Sequence, residues 1–517
     1  MAYKLEHQYG LTKDGLVELI CYEKNPDLGG TWYENRYPGA ACDNPAHCYN
    51  FTFSPNPNWS HYYVGAKEIH GYIKDTVDNY ALQKFFQLNS KVVDAKWVED
   101  EAKWHVKIDQ HGTIIDDVCD IFVNACGILN QWTWPSIEGL FDFKGHLVHS
   151  ARWDDSYDMT GKTVCVIGNG STGLQIVPQL QKVVKKLVCI IRSPTWISPT
   201  YVGHKSKVDN GRNFEYTEED KERFRTDRTY FRDYRRQIDS EMNKFFYALL
   251  KDSPQQQGLY DASIALHKER LAKKPELFEK LTPTWQPGCR RLSPGEGYLE
   301  ALAEDNVEVV LQEIERVVPE GLITVDGVEH KLDALVTATG FDTSFPPRFP
   351  LIGRHGRDLR KEWAENPRGY FGLAASGFPN YFIFMGPACP IGHGSLIPMM
   401  ECTADYVVKV TKKILAEQIK AVDVKQEAVD EFFAYSQSFM GKTVWTSGCR
   451  SWYKGGTVDG PVTAMYPGSA MHYRFTTAEP RWEDYDIKYW SKNRYQYFGN
   501  GFTEIEESGA NLSFYLD

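Results

Sequence analysis

With 517 residues the chain has room for two or three domains and a large core, and its net charge of -11 argues against nucleic acid as a main partner, since phosphate binding needs a basic face. No signal peptide opens it and no apolar run reaches the ~18 residues of a membrane span, so a cytoplasmic protein is expected. The eleven cysteines, an odd number scattered without C-x-x-C pairs or histidine companions, predict reduced, mostly buried thiols rather than a disulfide or metal framework.

Residues 1–10 read as the end of a helix, and 16–22 as an apolar strand ending in Glu23. This is the second half of a βαβ unit whose acid binds an adenosine ribose. The glycine fingerprint belonging to such an acid lies about 20 residues before it. That position falls at or beyond the first residue, so the first strand and its phosphate loop are expected to be missing. Next comes Gly29-Gly30-Thr31-Trp32-Tyr33-Glu34-Asn35-Arg36-Tyr37-Pro38-Gly39-Ala40-Ala41-Cys42-Asp43. Its glycines let backbone pass close to a ligand, Trp32 offers a flat face, and Asp43 arrives on a Pro-Gly turn. By its residues alone, the segment also fits an ordinary structured loop. Farther on, residues 120–127 end in Ala125-Cys126-Gly127 and read as a crossover between nucleotide domains.

The stretch 143–176 carries the strongest signal. Phe143, Gly145, His149 and Trp153 form F-x-G-x-x-x-H-x-x-x-W, and the apolar run 163–167 opens into Gly168-Asn169-Gly170-Ser171-Thr172-Gly173. A helix over 174–182 and a second strand over 186–191 follow. Strand, glycine turn, helix and strand form the context that makes G-x-G-x-x-G a dinucleotide site: Gly168 permits the turn, Gly170 lets backbone approach a pyrophosphate, and Gly173 lets helix and strand pack. Arg192-Ser193 ends the second strand where a carboxylate would select NAD, and a cation there accommodates the 2′-phosphate of NADP.

Residues 216–255, dense in mixed charge, predict two solvated helices inserted as a lid; their interspersed acids argue against a nucleic-acid face. From 307 to 342 strands alternate with short turns, and the buried strand 332–338 ends in Thr339-Gly340. A Gly-, Pro- and aromatic-rich segment, 377–394, precedes a helix over 396–415 whose N-terminus suits a flavin ring edge. The Trp- and Tyr-rich segment 445–517 returns as a cap.

Three of these motifs, F-x-G-x-x-x-H-x-x-x-W from Phe143, the loop from Gly29 to Asp43 and the glycine fingerprint from Gly168, resemble those of flavin-dependent Baeyer–Villiger monooxygenases. The likeness is closest to fungal secondary-metabolism members of the sterigmatocystin and aflatoxin type. It extends over essentially the whole chain, including Gly288-Cys289-Arg290-Arg291-Leu292, Ala338-Thr339-Gly340-Phe341-Asp342 and Ser451-Trp452-Tyr453-Lys454-Gly455. Trp153 sets the chain apart from related N-hydroxylating flavoproteins, which usually carry Tyr or Phe there. Ala41 stands where many bacterial members have Arg.

The resemblance implies an α/β fold with two Rossmann-like dinucleotide-binding domains, for FAD and NADP, and a helical insertion. The flavin domain takes 1–140 and, with the cap, 336–517; the NADP domain takes 141–335, with the insertion at about 205–285. It places Glu23, Gly30, Thr31, Trp32, Asp43 and Tyr49 at FAD, and Gly168, Asn169, Gly170, Ser171, Thr172, Gly173, Arg192 and Ser193 at NADPH, with Trp452 near the nicotinamide. Arg291 matches the arginine that stabilises the flavin peroxide, and Asp43 its carboxylate neighbour, although an Arg–Asp pair is often a plain salt bridge. His149 reads as a structural or domain-motion residue. The expected function is insertion of one oxygen atom of O₂ beside a ketone carbonyl of a polyketide-type small molecule. The alternative is a degenerate, non-redox relative that keeps the NADP domain as a binding or scaffold protein or a cofactor-free catalyst.

Overall fold

The computed structural model describes residues 1–206, 212–389 and 392–516. Parts of three sequence expectations fall outside them: residues 207–211 of the insertion, 390–391 of the Gly- and Pro-rich segment, and 517 of the cap.

The chain opens on a helical turn, Lys4–Gln8, where a helix end is expected. Of the apolar stretch 16–22 only Cys21–Tyr22 (β1) forms a strand, and Leu16 and Ile20 are exposed. Among the described residues β1 has one strand neighbour, Phe86–Gln87 (β2), parallel to it. With its other edge open to a cleft, the stretch lacks the two-sided pairing that would bury it. Between these strands come a short helix, Thr31–Glu34 (α1), and Ala66–Asn79 (α2), which buries Ile69, Tyr72, Thr76 and Val77 at helical spacing.

An antiparallel meander follows: Ser90–Val98 (β3), Lys103–Gln110 (β4) and Thr113–Cys119 (β5). In β4, Trp104, Val106 and Ile108 are buried while the residues between them face outward, the alternation of a sheet with one wet face. The indole of Trp104 donates to the Pro379 carbonyl at 2.8 Å, tying the meander to the second half of the chain. Phe122–Asn124 (β6) then leads into the linker before residue 143.

The next sheet contains His146–His149 (β7), Thr163–Ile167 (β8) and Lys186–Ile190 (β9), with the helix Ser171–Gln181 (α3) between the last two. After β9 come Glu218–Thr226 (α4), Arg228–Lys244 (α5), Pro254–Arg270 (α6), Glu276–Leu281 (α7) and Tyr298–Leu302 (α8). The helices α4 and α5 are amphipathic rather than solvated all round. They bury Phe224, Phe231, Ile238 and Met242 against Trp59 and Tyr62 of the first segment, and their arginines pair outward with Glu222 and Asp233.

Val307–Val310 (β10) completes one edge of the sheet. A meander, Ile314–Val318 (β11), Gly321–Thr324 (β12) and Glu329–Lys331 (β13), precedes the wholly buried Ala334–Thr337 (β14). The five parallel strands lie in the order β10-β9-β8-β14-β7. They are near-continuous apolar runs because helices or loops cover both faces.

The chain then returns to the first half. Leu351–Ile352 (β15) joins the edge of β3, and Tyr381–Ile383 (β16) pairs in parallel with β6. Leu396–Ala416 (α10, after the short α9, Leu359–Glu365) leads to Ile419–Val424 (β17), Gln426–Met440 (α11) and Ala470–Thr476 (α12). Tyr485–Tyr489 (β18) pairs antiparallel with β17, and residues 491–516 beyond it are mostly exposed.

Candidate active site

In the five-stranded sheet the strand order reverses between β8 and β14, and open parallel sheets take ligands at such a crevice, outside the carboxyl ends of their strands. Gly168 ends β8 there with φ +109°, and a Cβ on it would lie 2.5 Å from the Ala338 carbonyl at the end of β14. A Cβ on Gly173 would lie 2.3 Å from the Gly168 carbonyl, so α3 sits hard against the turn. Gly170 differs, since a Cβ there would meet nothing within 4 Å. No side chain caps α3 at Gly170, which leaves the amides of its first turn, with Ser171 and Thr172, open to a ligand.

That crevice opens into a cleft of about 3360 Å³. Every site residue expected from the sequence borders it except Gly173, which lies behind the turn. At the end of β9, Arg192 is exposed, and the amide of Asn169 donates to the Ser193 carbonyl at 2.8 Å. The Ser193 hydroxyl accepts from the Arg290 guanidinium at 3.3 and 3.4 Å. Burial, followed by the charges of Arg192 and Arg450, pulls the Arg290 pKa down. Among the described residues neither Arg192 nor Arg290 has a carboxylate partner, so this end of the cleft carries uncompensated positive charge beside a helix N-terminus.

On the opposite wall, Glu23 follows β1, where its backbone N–H and carbonyl bond to Gln87 and Ser90. Burial raises its pKa, against the amide of Asn25 that donates to its carboxylate at 2.8 Å. Gly30 precedes α1 with φ +50°, Thr31 begins that helix, and the Trp32 indole donates to the Tyr49 hydroxyl at 3.2 Å. At the far side, α10 starts without a side-chain cap. Just ahead of it, His393 Nδ1 and Ser395 Oγ are buried with no hydrogen-bond partner among the described residues. Flat aromatic faces, an acid at a strand end and orphaned polar atoms at a helix N-terminus suit a flavin dinucleotide on this wall. Around Gly170, Arg192 and Arg290 the residues suit a phosphorylated nicotinamide dinucleotide.

Between the two walls, Arg291 meets Asp43. Its Nε donates to Oδ2 at 3.0 Å and its Nη2 to Oδ1 at 2.6 Å, with Asn44 Oδ1 at 3.3 Å from Nη2. Nη1 has no partner among the described residues and is left to the cleft. Burial opposes the Arg291 charge, but Asp43 outweighs it, so the pKa rises well above the usual arginine value. Burial also raises the phenols of Tyr49 and Tyr201 and pushes Tyr453 up to about 12, so these neighbours stay neutral. Adjacent arginines thus face opposite ways: Arg290 toward Ser193, Arg291 toward Asp43.

The loop bearing Asp43 also touches the nucleotide helix. A Cβ on Gly39 would lie 2.5 Å from the Gln175 carbonyl, the Tyr37 hydroxyl donates to Gln175 Oε1 at 2.8 Å, and Gln175 Nε2 donates to the Ala41 carbonyl at 2.9 Å. Trp452 borders the cleft from the C-terminal segment, edge-on to Tyr453. The expectation of reduced cysteines throughout fails at one place. Cys289 and Cys449, 160 residues apart in sequence, form a disulfide, and that separation is why no spacing motif announced it. Among the described residues no His, Cys, Asp and Glu cluster suits a metal ion, and no helix is long and apolar enough to cross a membrane.

Comparison with known proteins identifies the family. The flavin-binding monooxygenase-like (FMO-like) family model matches residues 11–209. The chain is 43% identical to the FAD-binding monooxygenase tazF of Aspergillus terreus over 519 residues, covering 100% of this chain and 92% of that protein. The chain belongs to the flavin-binding monooxygenases of Baeyer–Villiger type. It is also 32% identical to a Baeyer–Villiger monooxygenase of Pseudomonas aeruginosa, over 91% of this chain and 86% of that one. The crystal structure of cyclohexanone monooxygenase from Rhodococcus sp. Phi1 bound to NADP+ superposes with a TM-score of 0.81 at 27% identity, covering 94% of this chain and 96% of that chain. The two-Rossmann α/β fold and the monooxygenase class expected from the sequence are therefore established.

In this monooxygenase the signature residues Phe143, Gly145, His149 and Trp153 pack elements together and do not border the cleft, although Arg152 between them does. A Cβ on Gly145 would lie 2.5 Å from the Asp333 carbonyl, so glycine lets β7 close on β14. His149 is buried, stacked on Trp132 at 4.4 Å, and accepts from the Ala151 amide at 3.1 Å. Burial brings its pKa down to about 4, which keeps the ring neutral.

Proposed function

We propose that this monooxygenase uses FAD and NADPH to insert one oxygen atom of O₂ next to a ketone carbonyl, giving an ester or lactone, on a polyketide-type substrate of fungal secondary metabolism. The balance is ketone, O₂, NADPH and a proton giving ester, NADP+ and water. The observation that carries the reading is the Arg291–Asp43 pair, held between a flavin-suited wall and a phosphate-suited one with Nη1 free toward the cleft. The substrate class rests on the resemblance of the sequence motifs to fungal secondary-metabolism members of the family.

Bound FAD supplies the redox chemistry that passes electrons to O₂ and delivers one oxygen atom. The chain's own residues hold and shield. Asp43 fixes the guanidinium plane through two hydrogen bonds and keeps it charged, so that the cation faces developing negative charge without reorganising. Tyr49, Tyr201 and Tyr453 remain neutral and so add no competing charge beside that cation. Arg290, Arg192 and Ser193 hold the 2′-phosphate, and the amides at the start of α3 the pyrophosphate. Glu23 holds the flavin ribose and Trp452 lies at the nicotinamide end.

One observation favours the second reading, a non-redox relative: the flavin-side sheet consists of two separate two-stranded pieces, β1–β2 and β6–β16. The visible spectrum of the purified chain, with FAD added, separates the two. Flavin absorbance that bleaches on addition of NADPH is expected; a protein that never acquires it overturns the monooxygenase reading of this chain.

A further inference from the structure

The disulfide joins two segments that each place an arginine immediately after the cysteine: Cys289-Arg290-Arg291 and Cys449-Arg450-Ser451-Trp452. Two further links lie beside it. The Ser447 hydroxyl donates to Gln286 Oε1 at 2.7 Å, and Arg290 Nε donates to the Arg450 carbonyl at 2.7 Å. From the other side, the buried ammonium of Lys454 donates to the carbonyls of Ser447 and Val458 at 2.9 and 2.6 Å and pins the turn that carries Cys449. Gly288, at φ +97°, lets the first segment close on Leu249 and Val444, which a Cβ would approach to 2.8 and 3.1 Å.

These contacts press like charges together. The charges of Arg192 and Arg450 act on Arg290, whose guanidinium also lies 4.8 Å over the Trp285 ring, while Arg450 Nη1 donates to the Gly456 carbonyl at 3.0 Å. None of the three arginines has a carboxylate partner among the described residues, and cations so placed repel one another. Arg290 is held by a carbonyl on one side and the Ser193 hydroxyl on the other, neither of which cancels its charge. A covalent tie keeps such an arrangement assembled before any anion arrives.

We propose that Cys289 and Cys449 are positioning residues for nicotinamide cofactor selection: their disulfide holds Arg290 against Ser193 and Arg192, preforming the 2′-phosphate clamp. The inference rests on the NADP reading of the preceding section. Reduction by a dithiol breaks the S–S bond, adds two electrons and two protons to give two thiols, and leaves the dithiol oxidised. Both sulfurs belong to fully buried residues, so exchange with external thiols is slow while the segment stays packed. Once the bond is opened, Arg290 is free to relax away from its like-charged neighbours, and the clamp loses its fork.

The phosphate distinguishes this role from general stabilisation, because NAD+ shares every group of NADP+ except the 2′-phosphate. Calorimetric titration of the full chain with NADP+ and NAD+ is the test, on the oxidised protein and on the Cys289→Ser/Cys449→Ser double variant. The oxidised protein is expected to prefer NADP+, and the variant to lose about tenfold of that preference with NAD+ affinity unchanged. An unaltered ratio in the variant overturns the brace alone; an oxidised protein with no preference for NADP+ overturns the cofactor reading as well. Should the variant not fold, the same titrations before and after dithiothreitol serve, with alkylation under denaturing conditions as a check. Nine modified cysteines before reduction and eleven after it are expected, and eleven from the start would overturn the proposal.

Discussion

The two cofactor walls of this monooxygenase are built in different ways. On the nicotinamide side five parallel strands form one buried sheet, and the ligand-facing turn is a single run of residues, 168–173. On the flavin side the strands form two separate two-stranded pieces, and contacts between residues far apart in sequence hold this side together: Asn124 Nδ2 to the Tyr381 hydroxyl at 3.2 Å across β6 and β16, Trp104 to Pro379, and Thr52 to both oxygens of Glu401 at 2.7 and 2.5 Å. The ligand-facing turn of the first wall lies in one contiguous run of residues, whereas the second wall is assembled throughout from segments far apart in sequence.

The largest effect is expected where the walls meet. Replacing Arg291 by Ala should lower the rate of oxygenation by about 10²–10³-fold, the usual cost of removing a preorganised donor. Binding of NADP+, which we assign to Arg290 and the α3 turn, should hold. Product formation at the wild-type rate would sink the role assigned to Arg291, whereas a parallel loss of NADP+ affinity would show that the two walls are not separable at this residue. Replacing Arg291 by Lys should fail similarly, because one ammonium does not reproduce the fork that Asp43 holds.

Next comes the nicotinamide wall alone. Gly168→Ala places a Cβ in a left-handed backbone conformation 2.5 Å from a carbonyl and should cost about 1–3 kcal/mol of stability in denaturant unfolding. Gly170→Ala meets open space and should change stability by less than about 0.5 kcal/mol while weakening NADP+ binding. Equal stability losses in the two variants would contradict the assignment of Gly168 to the turn and Gly170 to the ligand.

That pair also marks how much was legible in the sequence. The fingerprint, its flanking strand and its helix are contiguous, so periodicity located them to within a few residues: α3 was expected over 174–182 and runs Ser171–Gln181. On the flavin side the same reasoning expected a strand over 16–22 and overstated it. Apolar composition signals a strand, but only two-sided pairing buries one. Arg290 shows another limit: two adjacent arginines carry no sign of which way each side chain points. The Cys289–Cys449 pair had no local signal at all. Conversely, the spacing of Phe143, Gly145, His149 and Trp153 was unmistakable, yet those residues pack β7 against its neighbours and stand back from the cleft.

His149 offers a pH test of that junction. Its folded pKa of about 4 lies below the unfolded value near 6.5, so the unfolded state binds more protons in between and stability falls as pH drops through that window. The expected loss approaches about 1.4 kcal/mol per pH unit for this one group, flattening below pH 4. Measured as the difference between wild type and His149→Phe in thermal melts from pH 7 to 4, other titrating groups cancel. A difference that stays constant across the range would mean that the ring is not buried neutral.

The smallest effect concerns a hydrogen-bonded bridge from the Asp43 loop to α3. Tyr37→Phe removes the 2.8 Å bond to Gln175 but keeps the ring, and a single neutral hydrogen bond is worth about 0.5–1.5 kcal/mol. The change in global stability should therefore be slight. Its value lies in coupling. Tyr37 and Ala41 stand on the loop that carries Asp43, Gln175 on the helix to whose N-terminus we assign the pyrophosphate, and Gly39 is packed against the same turn of α3. If NADP+ ordering of α3 is transmitted to Asp43 along this bridge, hydrogen exchange at residues 40–44 should slow on NADP+ binding in the wild type, and slow less in Tyr37→Phe. Equal protection in both would place the coupling elsewhere, the Arg290–Arg291 backbone being one covalent route between the walls.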